Sequence, residues 1–125
     1  MGMTVVPILM KKSFEAKKSA TVRFLVDSGA VYSVVDAKVL RQLGCKPHRR
    51  KTFFLADGTA IERPIGDAYF EYAGIGGAAP VIFGEEGDSN RLGATTLEAL
   101  ELVLDPFKRE LRPMTTALMG AAPFR

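Results

Sequence analysis

Asp27, Ser28, Gly29 and Ala30 are the residues whose types and order can do chemistry, and they follow directly on the apolar run Val22-Arg23-Phe24-Leu25-Val26. That run has the branched and aromatic composition of a strand. Asp27 is therefore expected at a strand end, on a turn tight enough to need Gly29. A carboxylate presented in this way can activate a water molecule when a second carboxylate faces it. Two such groups about 3 Å apart cannot both ionise, so the pair shares one proton. The charged member takes a proton from the water while the neutral one donates to a substrate carbonyl. Their titration belongs to the pair and not to either residue. No second Asp-Ser-Gly or Asp-Thr-Gly occurs in the 125 residues, so the partner is expected from another copy of the chain. The competing reading is a plain turn aspartate, since Asp-Ser-Gly is common turn chemistry.

Other chemistry-bearing residues are weaker. Asp57-Gly58 signals a two-residue hairpin turn; Leu55-Ala56-Asp57-Gly58-Thr59, with Ala56, Asp57 and Gly58 at its tip, is either a flap that can close over a bound peptide or an ordinary hairpin. Gly74-Ile75-Gly76-Gly77 is a second glycine turn. Neither is a phosphate loop, because no helix opening on Lys-Ser/Thr follows. Cys45 and His48 supply two ligands, which close no metal site, and no acid stands where it would orient a Cys/His nucleophile. They are read as a loop thiol and a solvated histidine, and neither metal nor organic cofactor is expected. Asp57, Asp67, Asp88 and Asp105 read as turn residues. Phe53, Phe54, Tyr69, Phe70 and Tyr72 alternate too little for a base-stacking platform and suit core or flap packing.

The elements that must position Asp27 follow from pattern. Thr4–Leu9 reads as a strand, at an edge because of Pro7, and 11–20 as a polar hairpin connection. Thr21–Val26 and Val31–Val35 are strands on either side of the Asp27 turn. Asp36 is the expected N-cap of a helix over Ala37–Leu43, with Gly44 as its C-cap. Strands are expected over Lys51–Ala56, Thr59–Tyr72 and Pro80–Phe83, with 85–90 a polar loop. Leu92-Gly93 precedes a second helix, capped by Thr95 or Thr96, with Glu98 completing a capping box to Thr95 and Leu97, Leu100 and Val103 on its apolar face. Leu102–Leu104 and Leu111–Pro113 read as closing strands around Asp105-Pro106. Many short strands, turns about every ten residues and two short helices predict an all-β fold closed into a barrel.

The string Phe24-Leu25-Val26-Asp27-Ser28-Gly29-Ala30, followed by Ser33-Val34-Val35, resembles the active-site signature of the retropepsin-like aspartic proteases. Later elements agree in order: a short helix, a hairpin at the flap position, then Arg91-Leu92-Gly93 directly before a helix. The stretch from Leu92 to Leu100, running into Leu104-Asp105-Pro106 and Lys108 to Leu111, looks most like the small soluble prokaryotic members. The resemblance covers about Val22 to Leu111. It implies an acid-protease fold and an aspartic endopeptidase working as a homodimer, with Asp27 of each chain as the catalytic group. It further implies that Ser28 bonds across the dimer axis, that Gly29 and Ala30 support the loop, and that Leu92 and Gly93 form the second supporting element. Ala30 has no hydroxyl to offer the carboxylate, so the pH optimum is expected to be less acid than with serine there. Two positions depart from the family. Val31 and Tyr32 stand where retroviral members carry aspartates that bind substrate backbone. Arg91 replaces an apolar residue, and either lines the wall of the active-site loop or turns to solvent.

Composition sets the remaining bounds. A chain of 125 residues is one domain by size and buries roughly two-thirds of its unfolded surface. Its 47% hydrophobic and 25% charged content is that of an ordinary globular protein. The single cysteine excludes an internal disulfide and fits a reducing compartment. No basic region precedes the apolar stretch of 1–10, and no run approaches the ~18 residues of a membrane span. A cytoplasmic protein with no membrane partner is the expectation. The net charge of +3 gathers in Lys11/Lys12/Lys17/Lys18 and Lys46/Arg49/Arg50/Lys51. These clusters are read as solvated loop ends in preference to a nucleic-acid surface. Expected partners are a peptide or protein substrate and a second copy of the chain, meeting through the Asp27 loops, Thr4–Leu9 and Arg112–Leu118. The rival functions are an inactive binding module of the same fold, for peptides or nucleic acid, and a small interaction domain in which Asp27 only makes a turn.

Overall fold

The computed structural model describes residues 3–114, which form nine strands and two short helices. In chain order these are β1 (Val5–Lys11), β2 (Ser19–Val26), β3 (Ser33–Asp36), α1 (Ala37–Leu43), β4 (Arg49–Phe54), β5 (Ala60–Tyr72), β6 (Ile75–Gly84), β7 (Arg91–Leu92), α2 (Ala94–Ala99), β8 (Leu102–Asp105) and β9 (Glu110–Pro113). The protein is mostly β, as its turn spacing predicts. No helix among the described residues is long and apolar enough to cross a membrane.

Seven strands form one sheet in the order β1-β2-β7-β3-β6-β5-β4, and a further pairing of β1 with β5 joins the sheet back onto itself. Period-two alternation selects the buried face. Val6, Ile8 and Met10 of β1 and Val22, Phe24 and Val26 of β2 point into one core with Phe70, Val81, Phe83, Leu92 and Leu100. Phe24 and Phe70 meet there with ring centroids 6.2 Å apart. Pro7 faces Arg23 of β2, and the β1–β5 ladder begins only at Leu9. The edge position expected for β1 thus holds for its first half alone.

The first helix follows its sequence signals. Asp36 accepts a hydrogen bond from Lys38 N at 2.8 Å, and Gly44 ends the helix in the left-handed region at φ 92°. Four expectations need correction. The turn expected over 74–77 is the two-residue Ala73-Gly74 turn, with φ of 51° and 82°. Gly76 and Gly77 lie within β6, and Gly77 is small because a β-carbon there would meet Ala99 O at 2.9 Å. Val31 and Tyr32 precede β3 rather than belonging to it, because the loop bends there to reach α2. The second helix begins one residue before Thr95, on an N-cap Gly93 with no side-chain cap, so the Thr95–Glu98 capping box is not formed. Finally, among the described residues β8 and β9 do not join the main sheet and pair only with each other.

Candidate active site

Asp27 owes its position to a two-residue strand. Parallel pairing of β7 with β2 sets Leu25 beside Arg91 and Val26 beside Leu92. On its other side β7 runs antiparallel to β3, with Arg91 opposite Val34. Alternation then sends Val26 and Leu92 into the core, where both are buried, and leaves Leu25, Asp27 and Arg91 on the opposite face. Arg91 Nη1 consequently reaches Asp27 Oδ2 at 3.0 Å. Arg91 combines the two expected alternatives: it is the direct partner of the carboxylate and stays partly exposed to solvent. The second oxygen, Oδ1, accepts from Gly29 N at 3.2 Å. The Asp27 side chain is 33% exposed and that of Arg91 43%, so the pair is open to solvent.

The turn itself is braced from beneath. Asp27 N donates to Leu92 O at 2.9 Å, and Ala30 N to Asp27 O at 3.1 Å. The first amides of a helix lack partners within it. Here Ala94 N donates to Ala30 O at 2.7 Å and Thr95 N to Val31 O at 3.0 Å, so the loop carbonyls end the helix. Gly93 N donates to Ser33 Oγ at 2.9 Å, and Ser33 Oγ bonds Thr96 Oγ1 at 2.5 Å, both side chains being fully buried. Gly93 must be glycine for want of room: a β-carbon would lie 2.5 Å from the carbonyl carbon and oxygen of Tyr32. Leu92 and Gly93 thus contact the Asp27 turn through Leu92 O and the close approach of Gly93 to Tyr32. Gly29 differs from expectation. Its φ is not in the left-handed region, and a β-carbon would make an ordinary 3.4 Å contact with Asp27 Oδ1. Its contribution is the amide it donates to the carboxylate.

Two adjoining cavities lie beside this turn. One, of about 330 Å³, is lined by Val34, Phe53, Leu55, Ile61 and Ile82 together with Arg63, Asp88 and Arg91. The other, of about 510 Å³, is lined by Ala30, Val31, Tyr32 and Lys51 and shares Val34, Phe53 and Ile82 with the first. Together they make an apolar groove running from the Asp27 loop under the β4–β5 hairpin. Tyr32 and Phe53 stack edge to face with centroids 6.2 Å apart, so the loop and the hairpin touch directly. The expected tip residues Ala56, Asp57 and Gly58 are exposed and line neither cavity. Asp57 instead accepts from Thr59 N at 2.9 Å and Gly58 takes φ 87°. Hydrogen bonds from Thr59 hold the Asp57 carboxyl below its usual range, which marks it as a turn-former. The hairpin touches the groove through Phe53 and Leu55.

Ser28 is exposed and lines a third, apolar cavity of about 530 Å³ with Leu97, Leu102 and Leu104. Its hydroxyl makes no hydrogen bond among the described residues. Sequence reading missed the roles of Ser33 and Thr96, and left Phe53 between core and flap packing and Arg91 between the loop wall and solvent. A serine inside the apolar run 31–35 was the available signal for Ser33, and the departure from an apolar residue was that for Arg91. Cys45 lies in a loop, as read, but it is buried. Burial pushes its thiol up, against a smaller opposing pull from Lys12. His48 pairs with Asp67 at 3.2 Å on the surface. No group of three or more His, Cys, Asp or Glu side chains stands ready to hold a metal among the described residues. No protein-family model matches the chain, and the search of curated proteins returns no match.

Proposed function

We propose that the chain is an aspartic endopeptidase of the retropepsin-like kind, built as a closed barrel and active as a homodimer. Asp27 of each chain supplies one carboxylate. One charged and one protonated, they activate a water between them: the charged group takes its proton and the neutral group protonates the carbonyl oxygen of the scissile bond. The observation that carries this is the placement of Asp27. A carboxylate one-third exposed sits on a turn braced by the Leu92-Gly93 element, and its partner Arg91 and its loop neighbour Ala30 line an apolar groove beneath a hairpin. An extended peptide in that groove would pair by backbone hydrogen bonds, with apolar side chains in the cavities. Dimer contacts through the Asp27 loops, Thr4–Leu9 and the chain's end belong to the proposal; residues 115–118 lie outside the described residues.

One observation favours the rival, an inactive binding module. Each Asp27 already has a guanidinium at 3.0 Å. A symmetric pair would set two cations against two carboxylates and balance both charges without a shared proton. The deciding experiment is cleavage of a mixed peptide library from pH 3 to 8, by wild type and Asp27→Asn, at several protein concentrations. Peptidolysis that rises faster than linearly with concentration and vanishes in Asp27→Asn is the expected result. Activity that survives the substitution refutes the role of Asp27, and silence at every pH with peptide still bound establishes the binding module.

A further inference from the structure

Arg91 stands where the Asp27 turn meets the groove. Its Nη1 bonds Asp27, and its side chain lines the groove. A guanidinium carries five N–H donors in a fork that matches a carboxylate. Among the described residues only the bond to Asp27 is made by this one. The groove is otherwise apolar, and Lys51, Arg63 and Arg91 line it with Asp88. Arg63 is matched by Asp88 at 2.9 Å and Glu85 at 3.6 Å, and Arg91 by Asp27 through one nitrogen at 3.0 Å. The Arg91 guanidinium therefore keeps donors that a neutral peptide would leave to solvent and an acidic one would engage.

We infer that Arg91 recognises an acidic side chain of the bound peptide, aspartate or glutamate, close to the reacting bond. Reach sets the position. A carboxylate on the far edge of the guanidinium lies ~6 Å from Asp27, two residues along an extended chain at ~3.3 Å each. The same contact bears on the chemistry, because a peptide carboxylate draws on the guanidinium that otherwise holds Asp27. Sharing the guanidinium between two carboxylates weakens its hold on Asp27 without breaking the bond. The cleavage half of this inference rests on the protease proposal; the recognition half does not.

The test uses matched apolar peptides carrying Glu or Gln at each position within two residues of the centre. Cleavage is measured with wild type, Arg91→Leu and Arg91→Lys, and binding by fluorescence anisotropy with the same three proteins. A charge-assisted pair at a half-exposed site predicts a Glu-over-Gln preference of about tenfold in wild type. It falls to about one in Arg91→Leu and is partly kept in Arg91→Lys, whose retained charge controls for folding. If chemistry is coupled, the preference is seen in kcat as well as KM. Cleavage with equal rates for Glu and Gln peptides overturns the inference and leaves the protease proposal standing. Binding that prefers Glu through Arg91 without any cleavage does the reverse. Binding without preference, or no binding, overturns it outright.

Discussion

Replacing Gly93 by alanine tests whether the Asp27 turn is held by steric fit. Gly93 has φ −92° and ψ 174°, a conformation open to any residue, so no backbone strain enters. The added β-carbon would lie 2.5 Å from Tyr32 C and O and 3.0 Å from Ala30 O. Ordinary contact begins near 3.5 Å, so the loop must retreat by about 1 Å. The Ala94 N to Ala30 O bond, 2.7 Å long, would then stretch to about 3.7 Å, beyond hydrogen-bonding range. Thr95 N to Val31 O and Gly93 N to Ser33 Oγ span the same gap. Three bonds at ~1 kcal/mol each give a loss of about 3 kcal/mol, within the usual range for overpacking. With a urea slope of ~2 kcal/mol/M, the unfolding midpoint should fall by about 1.5 M. Gly58→Ala is the contrast: φ is 87° with no atom near, so only the left-handed conformation is penalised, by ~1 kcal/mol. A midpoint for Gly93→Ala within 0.5 M of wild type, on the order of 1 kcal/mol, would refute the brace.

Two further outcomes follow from the same contacts. Ser33→Ala leaves the Gly93 N–H and the Thr96 hydroxyl without partners in a fully buried place. It should lower stability by ~1–3 kcal/mol, and adding Thr96→Val should restore part of this in a double-mutant cycle; strict additivity would count against the network. Asp88 is held below the usual carboxylate range, first by its hydrogen bond from Arg63 and further by the Glu85 amide. A depressed folded value means its contribution is present above the unfolded value of ~4 and disappears as pH falls through the folded one. The stability gap between wild type and Asp88→Asn should therefore be widest near pH 7 and close below pH 4 in urea titrations. A gap independent of pH would sink the assignment.

Strand and helix boundaries set by local chemistry were legible in the sequence. Asp36 and Gly44 delimit α1 as written, because a side-chain cap and a left-handed glycine are decided within a few residues. Contacts between distant segments were not legible. Thr95 and Thr96 looked like caps, yet the amides of α2 are satisfied by loop carbonyls more than sixty residues earlier in the chain, and Thr96 is buried against Ser33. The same holds for the glycines 74–77: the turn uses Ala73 and Gly74, and Gly77 is explained by the approach of Ala99. For the candidate site, the turn at Asp27 and its neighbour Leu92-Gly93 stand out in local pattern and order. That Phe53 and Leu55 line the groove while Ala56, Asp57 and Gly58 do not was not legible, because it depends on how β4 pairs with β5.

The position of Arg91 shows how little chain is needed to set the character of this site. A strand of two residues, held by β2 on one side and β3 on the other, leaves one side chain on the face of Asp27. Were residue 91 apolar, the carboxylate would keep only the Gly29 amide. With arginine there the carboxylate is already paired, so in the proposed dimer two Asp27 groups would meet with a cation beside each, and the groove carries a guanidinium with donors to spare. The proposed dyad and the proposed acidic-peptide preference therefore meet in one guanidinium, and substitution of Arg91 tests both.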